Sequence, residues 1–554
     1  MHNDLASSAP GAAAARPTAG AGNASVSAPC PAAASHPAAA SHPATALRPA
    51  GAASRPAAEP AAATEDLAAA KTAGPRRGRR IGTALLALLA IALLGIYVPR
   101  IFPYDFWSDE CFSVLLSHMG FKEMLAATAA DVHPPFFYAV LMALYRLFGD
   151  QAWAYGLASL IPYGAMLLLS LTFVRSKFGN GVAACTMLCC AFMHNAITYN
   201  TELRMYSWTA FFVFACFCLL YSCLEKRSWP AHIALGVCAA LASYCHYYGF
   251  LAAGLILFAL MVIAIARRKH VVKMITTCAI ALALYLPWLL VLLDTFKRSS
   301  DGFWLQNIPS LSTCLLFPFQ LGRGKLVGMV LLAAFFVLFA ITLYTTRRRA
   351  RQDHGCHNDQ TLVLRTWLVA GMFAWLGTIL VGLGLSHAVH PFLITRYLFP
   401  IAPIAWLMLS VMASRALPKP YLVWGIALLV ALVGAPSYAR SLSNAFSRYD
   451  FHEQTLDEFK DHIEPGDVLL TDTYALDWTV LSVYFPDNAN DPFSSESAPG
   501  LDPSSTYWLI LENPDSLEDA NRALGKQGYR AVEADASGIL VKYPVNLYRI
   551  EKAD

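Results

Sequence analysis

Along most of this chain, apolar positions gather in long runs instead of alternating with polar ones. Candidate membrane helices stand near 81–99, 134–149, 153–174, 181–199, 205–224, 231–247, 249–266, 272–293, 325–344, 365–385, 396–413 and 419–435. Runs of roughly 16–22 residues match the length a helix needs to cross about 30 Å of hydrocarbon. Strands of a membrane barrel would be shorter and would alternate. The pattern predicts an α-helical polytopic membrane protein with about 11–13 transmembrane helices. Both ends of the chain depart from it. Residues 1–75 are nearly all Ala, Pro, Ser, Gly and Thr, and a segment with so little apolar surface to bury is expected to be disordered. Residues 438–554 regain charge and carry short β-type runs at Asp467–Thr471, Tyr507–Leu511 and Ile539–Tyr543, with a helical stretch at Ser516–Gly525. They predict a small water-soluble α/β domain, long enough to have its own core. The membrane module between them is 76–437, with its first exterior loop at 100–133.

Composition narrows the class. The 554 residues are 56% hydrophobic and 14% charged, against about 25% charged in soluble domains, which excludes a soluble enzyme. A net charge of +4 is too small to suggest nucleic-acid binding. Most of the thirteen cysteines lie inside apolar runs, with no CxxC or Cys/His metal spacing, so they read as small hydrophobes. Arg76, Arg77, Arg79 and Arg80 precede the first span and hold that side in the cytoplasm. Further basic loops, such as Arg175 with Lys177 and Arg347–Arg351, alternate with it. They place 100–133, 200–204, 246–249, 294–323, 386–395 and everything past 438 outside. The protein is therefore expected in the plasma membrane, with a cytoplasmic N-terminus and an extracytoplasmic C-terminal domain. The Ala/Pro-rich leader hints at a bacterium with a GC-rich genome. Three apolar segments separate the exterior stretches 100–133 and 200–204, an odd number. One of them should be a half-span, and 134–149, which opens with Pro134-Pro135, is the expected one.

Ionisable residues near a membrane are costly, about 2.5–3.5 kcal/mol each at mid-bilayer, so those on one membrane face merit a reading. They are Trp107-Ser108-Asp109-Glu110, Asp131-Val132-His133-Pro134-Pro135, Glu202-Leu203-Arg204-Met205-Tyr206, His246-Tyr247-Tyr248-Gly249, and His387 to His390-Pro391 followed by Arg396-Tyr397. Singly, each has a structural explanation: Asp109 as a helix cap, Pro134-Pro135 as a first helical turn, His246 and its tyrosines as an interfacial belt. Together they predict one pocket. Arg204 and Arg396 suit a phosphate, which a guanidinium fork binds bidentately. Asp109 and Glu110 supply a general base. Asp131, His133, Glu202, Tyr206, His246, Tyr247, Tyr248 and Tyr397 would line the pocket. A phosphate leaves as a stable anion, so a base and a cationic clamp suffice, whereas glycoside hydrolysis needs a second carboxyl as acid. The chemistry implied is sugar transfer from a lipid-linked sugar phosphate. Asp467 and Asp472 flank a strand and read as turn residues. Gly322-Arg323-Gly324 reads as a loop, and no Walker motif is present.

The elements Trp107–Glu110, Asp131–Pro135, Glu202–Tyr206, His246–Gly249 and Arg396-Tyr397 resemble the membrane glycosyltransferases of family 39. That group has the GT-C fold and includes protein O-mannosyltransferases and lipid A aminoarabinose transferases. The resemblance covers about 81–435. It implies a GT-C-like fold, a polyprenyl-phosphate sugar donor, inversion at the anomeric carbon and an outward-facing site. It implies Asp109 as the base and leaves room for a divalent cation at Glu110 and His133. The acceptor would be a glycan, a lipid or a protein. The alternative from another class is a transporter or flippase of lipid-linked sugars, which would also need arginines near phosphate. A second copy of the acidic-pair segment, as an inverted repeat would supply, is not seen in the sequence. A membrane sensor with the C-terminal domain as ligand binder ranks last, since it gives the polar clusters no role.

Overall fold

The computed structural model describes residues 62–554 except 104, 227, 302–304, 306, 323, 353–356, 417–418, 472–477, 495–497, 514–515 and 554. Asp472, Arg323, Cys30, Cys356 and most of the leader thus lie outside the described residues. The first half of the helical module contains α1 (Ala62–Tyr97), α2 (Ser108–His118), α3 (Phe121–Ala130), α4 (Phe136–Phe148), α5 (Ala152–Leu169), α6 (Arg175–Phe178), α7 (Asn180–Phe192) and α8 (His194–Tyr199). The second half contains α9 (Tyr206–Glu225), α10 (Trp229–Cys245), α11 (Tyr247–Arg267), α12 (Val271–Asp301), α13 (Leu311–Leu316), α14 (Lys325–Gln352), α15 (His357–Ala388), α16 (Ala402–Ala416) and α17 (Tyr421–His462). Residues 62–75, read as part of a disordered leader, are the start of α1, in keeping with alanine's high helix propensity.

Among the described residues, nine helical segments are long and apolar enough to cross a membrane, and α4, α7 and α10 are shorter apolar helices. At 13 residues each, α4 and α7 span only about 20 Å. The predicted span 181–199 is broken. The backbone turns extended at Met193, and the chain resumes as α8. Polar groups fix the break: the His194 amide donates to the Gln320 carbonyl at 3.0 Å, and Asn195 Nδ2 donates to the Phe317 carbonyl.

Burial sorts the helices. Nearly all of α16 is enclosed, and Trp367 of α15 stacks on Phe217 of α9 at 4.2 Å between ring centroids. By contrast α1, α12 and α14 expose Leu85, Leu88, Leu290, Leu293, Val330 and Val337, apolar faces that suit hydrocarbon and not water. Among the described residues, the eleven cysteines form no disulfide.

The C-terminal domain does not begin at a loop. The boundary at 437/438 falls within α17, whose sequence changes from apolar to charged without a break in the helix. Beyond it come β1 (Val468–Thr471), α18 (Trp478–Tyr484), β2 (Ala489–Pro492), β3 (Tyr507–Leu511), α19 (Leu517–Gly525), β4 (Tyr529–Leu540) and β5 (Tyr543–Lys552). The sheet order is β2-β1-β3-β5-β4, with β1 parallel to β2 and β3 and β5 antiparallel to β3 and β4. The run Ile539–Tyr543, read as one strand, is a correction. It contains the reversal from β4 to β5, with Val541 at φ 63°. No Asn-Gly or Gly-Gly pair announces that turn in the sequence.

Candidate active site

The site is assembled where several helix ends meet. At the start of α2, Trp107 is the N-cap residue. Glu110, three positions on, returns one carboxylate oxygen to the Trp107 amide at 3.3 Å and accepts from the Leu203 amide with the other at 2.8 Å. A capping carboxylate at this position satisfies helix-end donors. Here it also ties α2 to the loop before α9.

Asp109, one residue earlier, meets a different set of partners. Its Oδ2 lies 3.8 Å from Arg204 Nη2 and 3.2 Å from Arg396 Nη2. Arg204 is 1% exposed and is fixed by donating to the Asp109 carbonyl at 2.7 Å and to Ser113 Oγ at 3.1 Å. Arg396 comes from the 3-10 segment Thr395–Ile401, and its guanidinium stands 5.3 Å from the Trp107 ring centroid. The two predicted arginines thus share one carboxylate.

A second pair lies alongside. His133 Nδ1 is 3.0 Å from Asp131 Oδ2, and its ring centroid is 5.7 Å from that of His246. His246 packs on Tyr397 at 4.7 Å and on Tyr206 at 5.8 Å, while Tyr248 meets Tyr397 at 5.4 Å. Gly249 permits this junction, since a Cβ there would collide with the Ala242 carbonyl and Thr209. His390 stands apart, beside the Pro391 carbonyl and Phe392.

The electrostatics separate the carboxyls. Burial pushes the Asp109 carboxyl up, but Arg204, Arg396 and His133 outweigh it and hold it below the usual carboxylate range. Asp131 is likewise burdened by burial and held low by His133. Burial dominates Glu110, which is raised although Lys542 opposes the shift. Glu202 is pushed up to about 7 by burial and then by neighbouring Glu110. His246 falls well below its ordinary value through burial and the positive groups around it.

Two cavities flank the Arg396-Tyr397 step. One, about 340 Å³, is apolar and is lined by His133, His246, Tyr247, Tyr248, Leu292 and Tyr397 among others. The other, about 440 Å³, is polar and includes Trp107, Glu110, Glu202, Arg396, Arg448 and Lys542 in its wall. Among the described residues, Glu202 Oε2, Arg204 Nε, Tyr206 Oη and Arg396 Nε are buried without hydrogen-bond partners. Such atoms are uncommon in native proteins, and Glu202 and Arg396 in the wall of the polar cavity leave room for a polar ligand.

Sequence reasoning missed Arg100, the Arg448–Asp105 ion pair and Lys542. Arg100 donates to Thr201 Oγ1 at 3.1 Å and Ser441 Oγ at 3.0 Å, and its position just after the first span was a usable signal. Arg448 and Lys542 carried none, because both belong to the part of the chain outside the recognised motifs. Asp467 accepts from Trp508 Nε1 at 2.8 Å and from the Glu464 amide, the turn role read from sequence. A cation at Glu110 and His133 does not fit this arrangement. Both Glu110 oxygens are engaged by backbone amides, and among the described residues no three His, Cys, Asp or Glu side chains group for a metal.

Residues 132–290 match a sequence-family model described as Dolichyl-phosphate-mannose-protein mannosyltransferase, an interval holding His133, Glu202, Arg204, Tyr206 and His246. Over that interval the chain is similar to this family of membrane glycosyltransferases. Among solved structures, two of ArnT from Cupriavidus metallidurans, one bound to undecaprenyl phosphate and one in the apo state, share the fold. Each aligns with a TM-score of 0.50 and 14% identity over 84% of this chain and 97% of its own. Comparison with curated proteins gives no match.

Proposed function

We propose that the protein transfers a sugar from a polyprenyl-phosphate donor to an acceptor, with inversion, on the extracytoplasmic side of the membrane. The observation that carries this reading is Asp109 held between Arg204 and Arg396, with an apolar groove on one side and a polar cavity on the other. A lipid-linked donor needs an apolar groove for its tail and cations for its phosphate, and a polar acceptor must reach the sugar from the other side. The undecaprenyl phosphate bound in the ArnT structure supports a lipid of this kind.

In the proposed reaction an acceptor hydroxyl oxygen attacks the anomeric carbon from the face opposite the phosphate. The carbon–oxygen bond to phosphate breaks, and its electron pair leaves on the phosphate oxygen. The hydroxyl proton passes to Asp109. Arg204 and Arg396 stabilise the departing anion. A donor phosphate competes with Asp109 for both guanidiniums, which loosens the clamp on the carboxylate and restores its basicity. Tyr206, His246 and Tyr397 form the aromatic floor beside the reacting carbon.

The test is release of polyprenyl phosphate from a polyprenyl-phosphate sugar by the purified protein in nanodiscs. Asp109→Asn should slow turnover by about 10²–10⁴, the usual worth of a positioned base. Unchanged turnover by that variant would remove the mechanism. Movement of intact donor across a vesicle membrane without sugar release would favour the transporter reading instead.

A further inference from the structure

The polar cavity has a wall supplied by the C-terminal domain. Its β4–β5 turn carries Lys542, which is exposed and lines the cavity with Arg100, Arg396 and Arg448. The Lys542 ammonium lies 5.3 Å from the centroid of the Trp107 ring, the same distance as the Arg396 guanidinium from that ring. One indole therefore bridges the proposed donor clamp and a cation delivered from another domain.

The turn is held for this purpose by specific contacts. Val541, a β-branched residue, adopts φ 63°, a conformation such side chains rarely accept. Its amide donates to His452 Nδ1 of α17 at 3.0 Å. The Ile539 amide donates to Thr455 Oγ1 at 2.9 Å. A strained residue persists only where its surroundings over-determine it, and such residues gather at functional sites.

Charge decides what the cavity would take. Arg448 is neutralised by Asp105 and Arg396 by Asp109. Lys542 and Arg100 have no carboxylate within ion-pair distance among the described residues. The remaining carboxyls of the wall are Glu110, spent on backbone amides, and Glu202. Arg100 keeps its charge but is tied to Thr201 and Ser441, which leaves Lys542 as the cation available to a ligand.

We infer that this cavity is the acceptor site, and that Lys542, presented by the β4–β5 turn, binds an anionic group of the acceptor, a phosphate or a carboxylate. The inference rests on the proposed transferase reading, which assigns the apolar groove and the Asp109 clamp to the donor. Lys542 is a positioning residue: it holds the acceptor and takes no part in bond making.

The test uses the full-length protein in nanodiscs saturated with polyprenyl phosphate, so that the donor clamp is filled. Binding of inorganic phosphate, and separately of acetate, is then titrated. Lys542→Met should weaken the preferred anion about 10- to 100-fold, the worth of one charged hydrogen bond. Lys542→Arg should retain it, and Lys526→Met, which loses the same charge elsewhere on the domain, should leave it unchanged. In unmutated protein, bound anion should slow acetylation of Lys542 read by mass spectrometry, a measurement independent of how any variant folds. Equal binding by Lys542→Met, absence of anion binding after saturation, or no protection of Lys542 would each overturn the inference. Failure to bind polyprenyl phosphate at all would instead remove the donor reading, and the anion titration of the two lysine variants would still be readable.

Discussion

Asp109 is weakly basic in this arrangement because two guanidiniums share it, and each of the three residues should respond differently to removal. Arg204 is almost wholly buried and is bonded to the Asp109 carbonyl and Ser113. Breaking a buried pair from one side costs about 3–5 kcal/mol. Arg204→Ala should therefore lower the thermal unfolding temperature markedly as well as donor use. Arg396, with its side chain 19% exposed, should behave otherwise. Arg396→Ala is expected to lower turnover by about 10²–10³, in line with loss of a preorganised stabilising group, with little change in unfolding. Equal unfolding temperatures for the two variants would contradict that division. Glu202 offers a separate pH signature. Its carboxyl is raised from 4.5 to about 7, so the native state holds a proton that the unfolded state has lost between those values. Stability is then greatest at low pH and falls as pH rises through that window, on the order of 3 kcal/mol in all. Asp109 works oppositely, its contribution being lost as pH falls through its depressed value. Unfolding followed from pH 4 to 8 should show the Glu202 slope flatten in Glu202→Gln.

At the scale of elements, α2 is what aims Asp109. Its capping carboxylate Glu110 also grips the Leu203 amide, so one side chain fixes both the acid and the loop carrying Arg204. Glu110→Ala should cost about 1–2 kcal/mol through the lost cap. It should also lower turnover by loosening α2 and the loop before α9, and Glu110→Gln should recover part of both effects. Unfolding and turnover measured on the pair of variants would check this. The acidic pair was legible as a pair, and the resemblance singled out Asp109 as the proposed base, but the capping role of Glu110 was not legible. In the sequence the two residues are adjacent and chemically alike. Only their partners in the fold, backbone amides for Glu110 and two guanidiniums for Asp109, separate them.

At the scale of the whole molecule, α17 joins the helical module and the C-terminal sheet domain as one continuous helix, and it fastens the β4–β5 turn through His452 and Thr455. Gly538 lies where a side chain would strike Thr455. Gly538→Val should push the turn from α17 and reproduce the anion-binding loss of Lys542→Met while leaving polyprenyl-phosphate binding intact. Titrations of the two ligands on that variant would show whether the domain acts through this contact.

The sequence by itself determined the membrane class, the helical architecture, the β1 and β3 cores and the polar segments that meet at the site. Those properties follow from local composition and periodicity, because a run of apolar residues must find hydrocarbon wherever it stands and a buried charge must find a partner. Tertiary structure alone decided which partner each charge found. It placed Arg204 and Arg396 on one carboxylate, broke the span at Met193 through contacts with residues 317 and 320, and carried Lys542 to Trp107. Contacts between residues hundreds of positions apart leave no periodic trace along the chain, since they depend on how completed helices and strands pack and not on what any one of them prefers.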